Sequence, residues 1–211
     1  MSKHIEYSNE ARKQLLDGID LLANAVTATL GPNGRNVVYR DETGEVRSTK
    51  DGVTVAKVIS FKDPVRSIAI DMLKQAAINT ANTAGDGTTT STLLAQVITT
   101  QGLNALDRKE NAVQVKREVD EAVKQAIQYI KDNIVEEITS EDQLKQVATV
   151  SANNDEMVGN LITSALEAVG RDGIVTIEES RTGETYLETV EGIQFDRGYK
   201  SPTPSTRIGF L

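Results

Sequence analysis

The run Gly85-Asp86-Gly87-Thr88-Thr89-Thr90 constrains this chain more than any other stretch, because it demands a sharp bend directly before a helix. Two glycines free the backbone around one carboxylate. Three consecutive hydroxyls then fall where the amphipathic stretch 91–97 begins, with the unpaired N–H groups of the helix end still facing outward. Such an end favours negative charge, and the hydroxyls add donors. Asp86 can carry the Mg²⁺ without which a carboxylate beside a triphosphate would repel it. The same residues also suit a plain N-cap, since Asp and Thr cap helices routinely. By itself the hexad leaves a phosphate cradle and a capped helix both open.

Composition removes several chemistries. The chain has 211 residues, 38% of them hydrophobic, enough for one large domain or two smaller ones. Lys and Arg number 23 against 31 Asp and Glu, a net charge of -8, and the basic residues cluster only in pairs such as Arg108-Lys109 and Lys116-Arg117. A nucleic-acid backbone would be repelled, so no nucleic-acid partner is expected. There is no cysteine, so disulfides and thiolate metal sites are out. His4 is the single histidine, which leaves no raw material for Ser-His-Asp, Cys-His or His-metal chemistry. Residues 1–10 mix charges without an apolar run, and no later run approaches membrane length. The expectation is a cytoplasmic protein with no membrane partner.

Along the chain, Leu15, Leu16, Ile19, Leu22, Ala23 and Val26 mark one face of a helix starting at Ser8 and stopped by Gly31-Pro32. Two β-prone runs, 36–39 and 46–49, are joined by Asp41-Glu42-Thr43-Gly44, which is hairpin chemistry. Lys50-Asp51-Gly52 makes a second sharp turn. After Asp63-Pro64 a long helix runs through Ile68, Met72, Leu73 and Ala76 to Gly85, so the hexad links two helices, unlike a Walker loop or a Rossmann turn. Beyond Gly102 a further helix carries Val119, Ala122, Val123, Ala126, Ile127 and Ile130 on one stripe expected to be core. Ser140-Glu141-Asp142-Gln143 is a capping box opening a shorter helix, and another amphipathic helix follows over 155–169, ended by Gly170. The period then drops to two at Ile174-Val175-Thr176-Ile177 and again at Tyr186, Leu187 and Val190. Residues 201–206 have linker chemistry.

Two other loops are candidate sites. Thr29-Leu30-Gly31-Pro32-Asn33-Gly34-Arg35 places two glycines and a proline in a rigid corner, and Lys50-Asp51-Gly52 brings a second carboxylate. Taken singly, the first is a helix stop and the second a turn. If the fold sets Asp51 beside Asp86, one carboxylate can hold the metal while the other positions water for attack on a γ-phosphate.

Together these segments resemble a known family. Thr29-Leu30-Gly31-Pro32-Asn33-Gly34-Arg35-Asn36-Val37, Lys50-Asp51-Gly52-Val53, Ala84-Gly85-Asp86-Gly87-Thr88-Thr89-Thr90, Ser151-Ala152-Asn153 and Glu191-Gly192-Ile193-Gln194-Phe195-Asp196-Arg197-Gly198-Tyr199 follow the order seen in the group I chaperonins, the GroEL family. The resemblance covers about residues 3–202 and corresponds to the first part of a family member.

The resemblance implies a mainly α, multi-domain fold. Residues 1–133 would be the N-terminal part of a helical equatorial ATP-binding domain, 134–189 the first half of a small α+β intermediate domain, and 190–211 the start of an apical domain, truncated or divergent. It implies an ATP-dependent chaperone subunit, with ATP, Mg²⁺ and K⁺ as cofactors. Thr29, Leu30, Gly31, Pro32 and Lys50 would border the nucleotide, with the Thr29 and Lys50 carbonyls near K⁺. Asp86 would bind Mg²⁺, Gly87, Thr88, Thr89 and Thr90 would contact the phosphates, and Asp51 would assist hydrolysis. Implied partners are non-native polypeptides, a homo-oligomeric ring, heptameric and single or double, and a lid-like co-chaperonin. Hairpin 36–49 resembles the segment that pairs with a neighbouring subunit, and Gly192 a hinge glycine.

Three departures stand beside this. The family's hydrolysis also draws on an aspartate from the returning half of the intermediate domain, which does not occur in these 211 residues. The sequence leaves the family pattern after Pro202, and Glu136-Glu137-Ile138 lacks the proline often found at the lower hinge. Two alternatives are therefore weighed: a truncated chaperonin-like module that binds nucleotide or assembles with a ring without hydrolysis, and a purely structural helical protein with incidental glycine turns.

Overall fold

The computed structural model describes residues 5–152, 154–170, 173–178, 180 and 183–189. The order of elements is α1 (Ser8–Thr27), β1 (Val37–Arg40), β2 (Val46–Thr49), α2 (Gly52–Val58), α3 (Pro64–Ala84), α4 (Thr88–Asp107), α5 (Ala112–Asn133), α6 (Glu141–Ser151) and α7 (Glu156–Val169). The chain divides into two compact units, residues 1–131 and 132–211.

In the first unit, α1, α2, α3 and α4 pack on one another around Leu22, Ala23, Val26, Val55, Ala56, Ile70, Leu73 and Ala77. The α1 contributors fall at helical spacing on the face marked by the sequence, and burying each large aliphatic side chain contributes about 1.5–3 kcal/mol. Close approach of α1 and α3 depends on Gly18, where a Cβ would come within 2.7 Å of the Arg66 carbonyl oxygen. Polar ties flank the core: Gln96 on α4 donates to Asp20 on α1 at 2.7 Å, and Arg66 on α3 pairs with Asp17 on α1 at 3.3 Å.

Helix ends follow local chemistry. Asp63 accepts from the Val65 and Arg66 N–H groups, and Pro64 occupies the first turn of α3, where its missing N–H costs nothing. At the far end Gly85 takes a left-handed conformation with φ 73°. Helix α4 continues through Gly102, which the sequence suggested as a break, because one interior glycine costs only about 1 kcal/mol against alanine.

Strands β1 and β2 form an antiparallel hairpin in which Val38 faces Ser48 and Tyr39 faces Arg47. Asp41 organises its turn. One carboxylate oxygen accepts from the Thr43 N–H at 3.0 Å, the Thr43 hydroxyl at 2.6 Å and the Glu45 N–H at 3.0 Å, and the other from Arg47 Nε at 2.5 Å. The Thr43 hydroxyl outweighs partial desolvation and, with Arg47 and the Glu45 amide, lowers the Asp41 pKa from 3.8 to about 2.

The stripe on α5 is not core among the described residues. Val123, Ile127 and Ile130 are 41%, 48% and 45% exposed, and no α5 residue is buried. A helical period establishes that an apolar face exists, but burial needs a partner surface, which the period does not supply. The helix is supported locally by Asn111, which accepts from Val113 and Gln114, and by i,i+4 pairs such as Lys116 with Asp120.

In the second unit α6 and α7 pack closely. The expected capping box is present: Ser140 accepts from the Gln143 N–H at 3.3 Å while the Gln143 side chain accepts from the Ser140 N–H. Asp155 caps α7 in the same way as Asp63 caps α3. Contact between the two helices is made at Gly159, where a Cβ would lie 2.8 Å from the Thr149 Cα. The alternating segments do not form strands among residues 173–178 and 183–189, and Ile174 and Ile177 stand 87% and 83% exposed. Alternation marks strand potential, whereas a strand exists only through a ladder partner. Residues 190–211, including Gly192 and the expected apical segment, lie outside the described residues.

Candidate functional site

Three segments far apart in sequence line one cavity of about 210 Å³: Thr29, Leu30 and Gly31; Lys50; and Asp86, Gly87, Thr88, Thr89 and Thr90. These are nine of the ten residues expected to border a nucleotide. Pro32 is the exception. Gly31 turns the chain with φ 73°, and the Gly34 N–H closes a tight turn on the Gly31 carbonyl at 3.0 Å. Proline at the second position of that turn is favoured for its fixed φ, and it lies exposed off the cavity wall.

The wall at 29–31 is held rigidly. After α1 ends, the Thr29 hydroxyl donates to the Val26 carbonyl at 2.7 Å, and the Arg35 N–H returns to the Ala28 carbonyl at 2.7 Å. Gly34 packs directly on the Thr29 carbonyl, where any Cβ would overlap it.

The wall at 86–90 is formed by the hexad itself. Gly85 and Gly87 both take positive φ, 73° and 78°, so the bend around Asp86 is one that residues with a Cβ seldom adopt. The N-cap of α4 is Gly87, and no side chain caps this helix. Asp86 accepts instead from the Gly87 N–H at 2.6 Å, outside the helix proper. The first turn of donors at α4, residues 88–90, precedes Ser91, whose N–H is the one bonded to the Gly87 carbonyl. A plain capped helix would satisfy these amides from a side chain; here they border the cavity.

Lys50 is the one cation in the lining and Asp86 the one anion. With the positive end of α4 also in the lining, the site suits a multiply charged anion accompanied by a cation. Among the described residues no group of three or more His, Cys, Asp or Glu side chains is gathered for a metal.

Asp51 does not line the cavity. It adjoins the lining residue Lys50, and its carboxylate caps α2, accepting from Val53 and Thr54 N–H groups at 3.3 and 2.9 Å and from the Thr54 hydroxyl at 2.5 Å. Partial burial pushes its pKa up. The Thr54 hydroxyl, the two amides and Lys57 together outweigh that, and the carboxyl lies below 3.8. The neighbouring Gly52 is buried, and a Cβ there would come within 2.2 Å of the Thr89 hydroxyl oxygen, so the Asp51 turn lies close against the cavity wall. Two neighbours of the cavity escaped the sequence reading: Thr54, which the Asp-x-x-Thr spacing could have flagged as a donor to Asp51, and Gly52 as a packing residue, for which no sequence signal exists.

Residues 22–209 match the model of the TCP-1/cpn60 chaperonin family. Among solved structures, the chain is similar to a group III chaperonin in the open state, with 27% identity and TM-score 0.64, covering 75% of this chain and 32% of that one. It is also similar to the chaperonin gp146 from the bacteriophage EL 2 (Pseudomonas aeruginosa), solved in the presence of ATP-BeFx in two crystal forms. There the identity is 29% and the TM-scores 0.63 and 0.64, over 75% of this chain and 28% of that one. The chain therefore spans about a third or less of the length of these proteins.

Proposed function

This chain belongs to the TCP-1/cpn60 chaperonin family, has the mainly helical fold of a chaperonin equatorial domain, and on that premise we propose that its cavity binds Mg-ATP and serves an ATP-dependent protein-folding cycle. One observation carries the reading: three distant bends converge on a single cavity at the uncapped N-terminus of α4. The cavity volume falls below the roughly 300 Å³ at which small-molecule sites begin, which suits the phosphate tail rather than a whole nucleotide.

In this reading the amides of residues 87–90 and the three threonine hydroxyls hold the phosphates, and Lys50 adds charge. Asp86 holds Mg²⁺, with further K⁺ contact from the Thr29 and Lys50 carbonyls. When bound, Mg²⁺ neutralises charge on the phosphates. Asp51 orients a water for attack on the γ-phosphorus. The new bond is from water oxygen to phosphorus, the bond to the bridging oxygen breaks with its electron pair leaving on ADP, and the water proton passes to the carboxylate and onward to phosphate.

Binding energy that differs between two conformations would drive domain movement in a ring of like subunits acting on non-native polypeptide. The division into equatorial, intermediate and apical parts, the group I affiliation, a heptameric ring, a co-chaperonin and a cytoplasmic setting belong to the same proposal. The open edges of the β1–β2 hairpin support subunit pairing.

The test is a pair of substitutions. Asp86→Ala abolishes Mg-ATP binding by calorimetry, and Asp51→Ala slows turnover while sparing binding. Unaltered turnover in both variants rejects the site.

A further inference from the structure

The two oxygens of the Asp51 carboxylate are unequally engaged. Oδ2 accepts twice from one residue, from the Thr54 N–H at 2.9 Å and the Thr54 hydroxyl at 2.5 Å, whereas Oδ1 accepts a single longer bond from the Val53 N–H at 3.3 Å. The amides of residues 53 and 54 are sufficient to make Asp51 an N-cap, so the Thr54 hydroxyl is a third donor that capping does not need. The Asp51 N–H is itself fixed by donation to the Thr49 hydroxyl at 3.1 Å. Thr54 is half-buried on α2, and its β-branch restricts χ1, so the donor has little freedom to leave.

We infer that Thr54 is a positioning residue for hydrolysis: it commits Oδ2 of Asp51 and leaves Oδ1, with lone-pair capacity to spare, as the oxygen that orients the attacking water. The assignment rests on the nucleotide reading of the site and adds a residue to it. In the reaction the water proton goes to Oδ1 and then to the released phosphate, with Thr54 keeping both of its protons.

The experiment compares Thr54→Ala and Thr54→Ser in the assembled protein, measuring kcat and KM for Mg-ATP separately. Thr54→Ala should lower kcat about tenfold with KM unchanged, the size expected for losing one hydrogen bond to a charged group. Thr54→Ser, which keeps the hydroxyl that Asp51 Oδ2 accepts from, should restore kcat. Wild-type kcat in Thr54→Ala, or a loss that serine does not rescue, overturns the role of Thr54. Asp51→Ala in the same series separates the two claims. If it turns over at the wild-type rate, or if the wild-type protein hydrolyses no ATP, the hydrolytic reading itself falls and the Thr54 assignment with it. If it is slow while Thr54→Ala is fast, only the Thr54 assignment falls.

Discussion

The Thr89 hydroxyl occupies the space a Cβ on Gly52 would need, 2.2 Å from where that atom would sit, which sets the cavity wall at the start of α4 against the turn that presents Asp51. Gly52 is buried there, and Val26 of the core closes the space from another side.

Gly52→Ala should therefore destabilise the first unit by about 1–3 kcal/mol, the usual cost of overpacking. Thr89→Ala should relieve much of that loss, so a double-mutant cycle read by urea unfolding should give a favourable coupling between the two substitutions. Additive losses would show that the contact is not what excludes a side chain at position 52.

Acid should open the hairpin in a defined window. The folded pKa of Asp41 is depressed to about 2 from 3.8, so its contribution is complete above the unfolded value and disappears as pH falls through about 2. Amide exchange of residues 38–47 should stay slow at pH 5 and accelerate between pH 4 and 2. Asp41→Ala should show fast exchange at every pH.

Gly159→Ala should weaken the α6–α7 pair even though alanine is the better helix former. The new methyl meets the Thr149 backbone, and the overpacking cost of about 1–3 kcal/mol exceeds the propensity gain of about 1 kcal/mol. Protection of the α6 and α7 amides should drop while that of α1 and α3 is unchanged.

Core and stripe should respond differently to truncation in this chain. Leu22→Ala, at a fully buried position, should cost about 2–5 kcal/mol. Ile127→Ala, on the exposed face of α5, should fall within about 0.5 kcal/mol. Thermal unfolding of the two variants side by side gives the comparison.

Local chemistry was legible in the sequence wherever one residue suffices to specify it. Ser140 with Gln143, Asp63 before Pro64, and the Asp41 to Gly44 turn each formed as their spacing implied. The site was legible as three separate bends, because glycine, proline and aspartate announce backbone conformation at the position they occupy. Their convergence was not, since contact between residues 29, 50 and 86 depends on how helices cross, which periodicity does not encode. The same limit explains α5 and the 174–177 segment: pattern identified the apolar face and the strand potential but carried no information about what, if anything, would cover them. That Pro32 stands off the cavity wall was illegible for a simpler reason, as a turn residue beside a cavity looks identical in sequence to one lining it.

Because Gly85 and Gly87 set the bend around Asp86 through their own left-handed backbone angles, the cradle has its shape before anything enters it. In the proposed function an arriving phosphate would meet donors already in place, and little of its affinity would be consumed in ordering the loop. Discrimination among anions then falls to size and charge rather than to the loop's capacity to adapt.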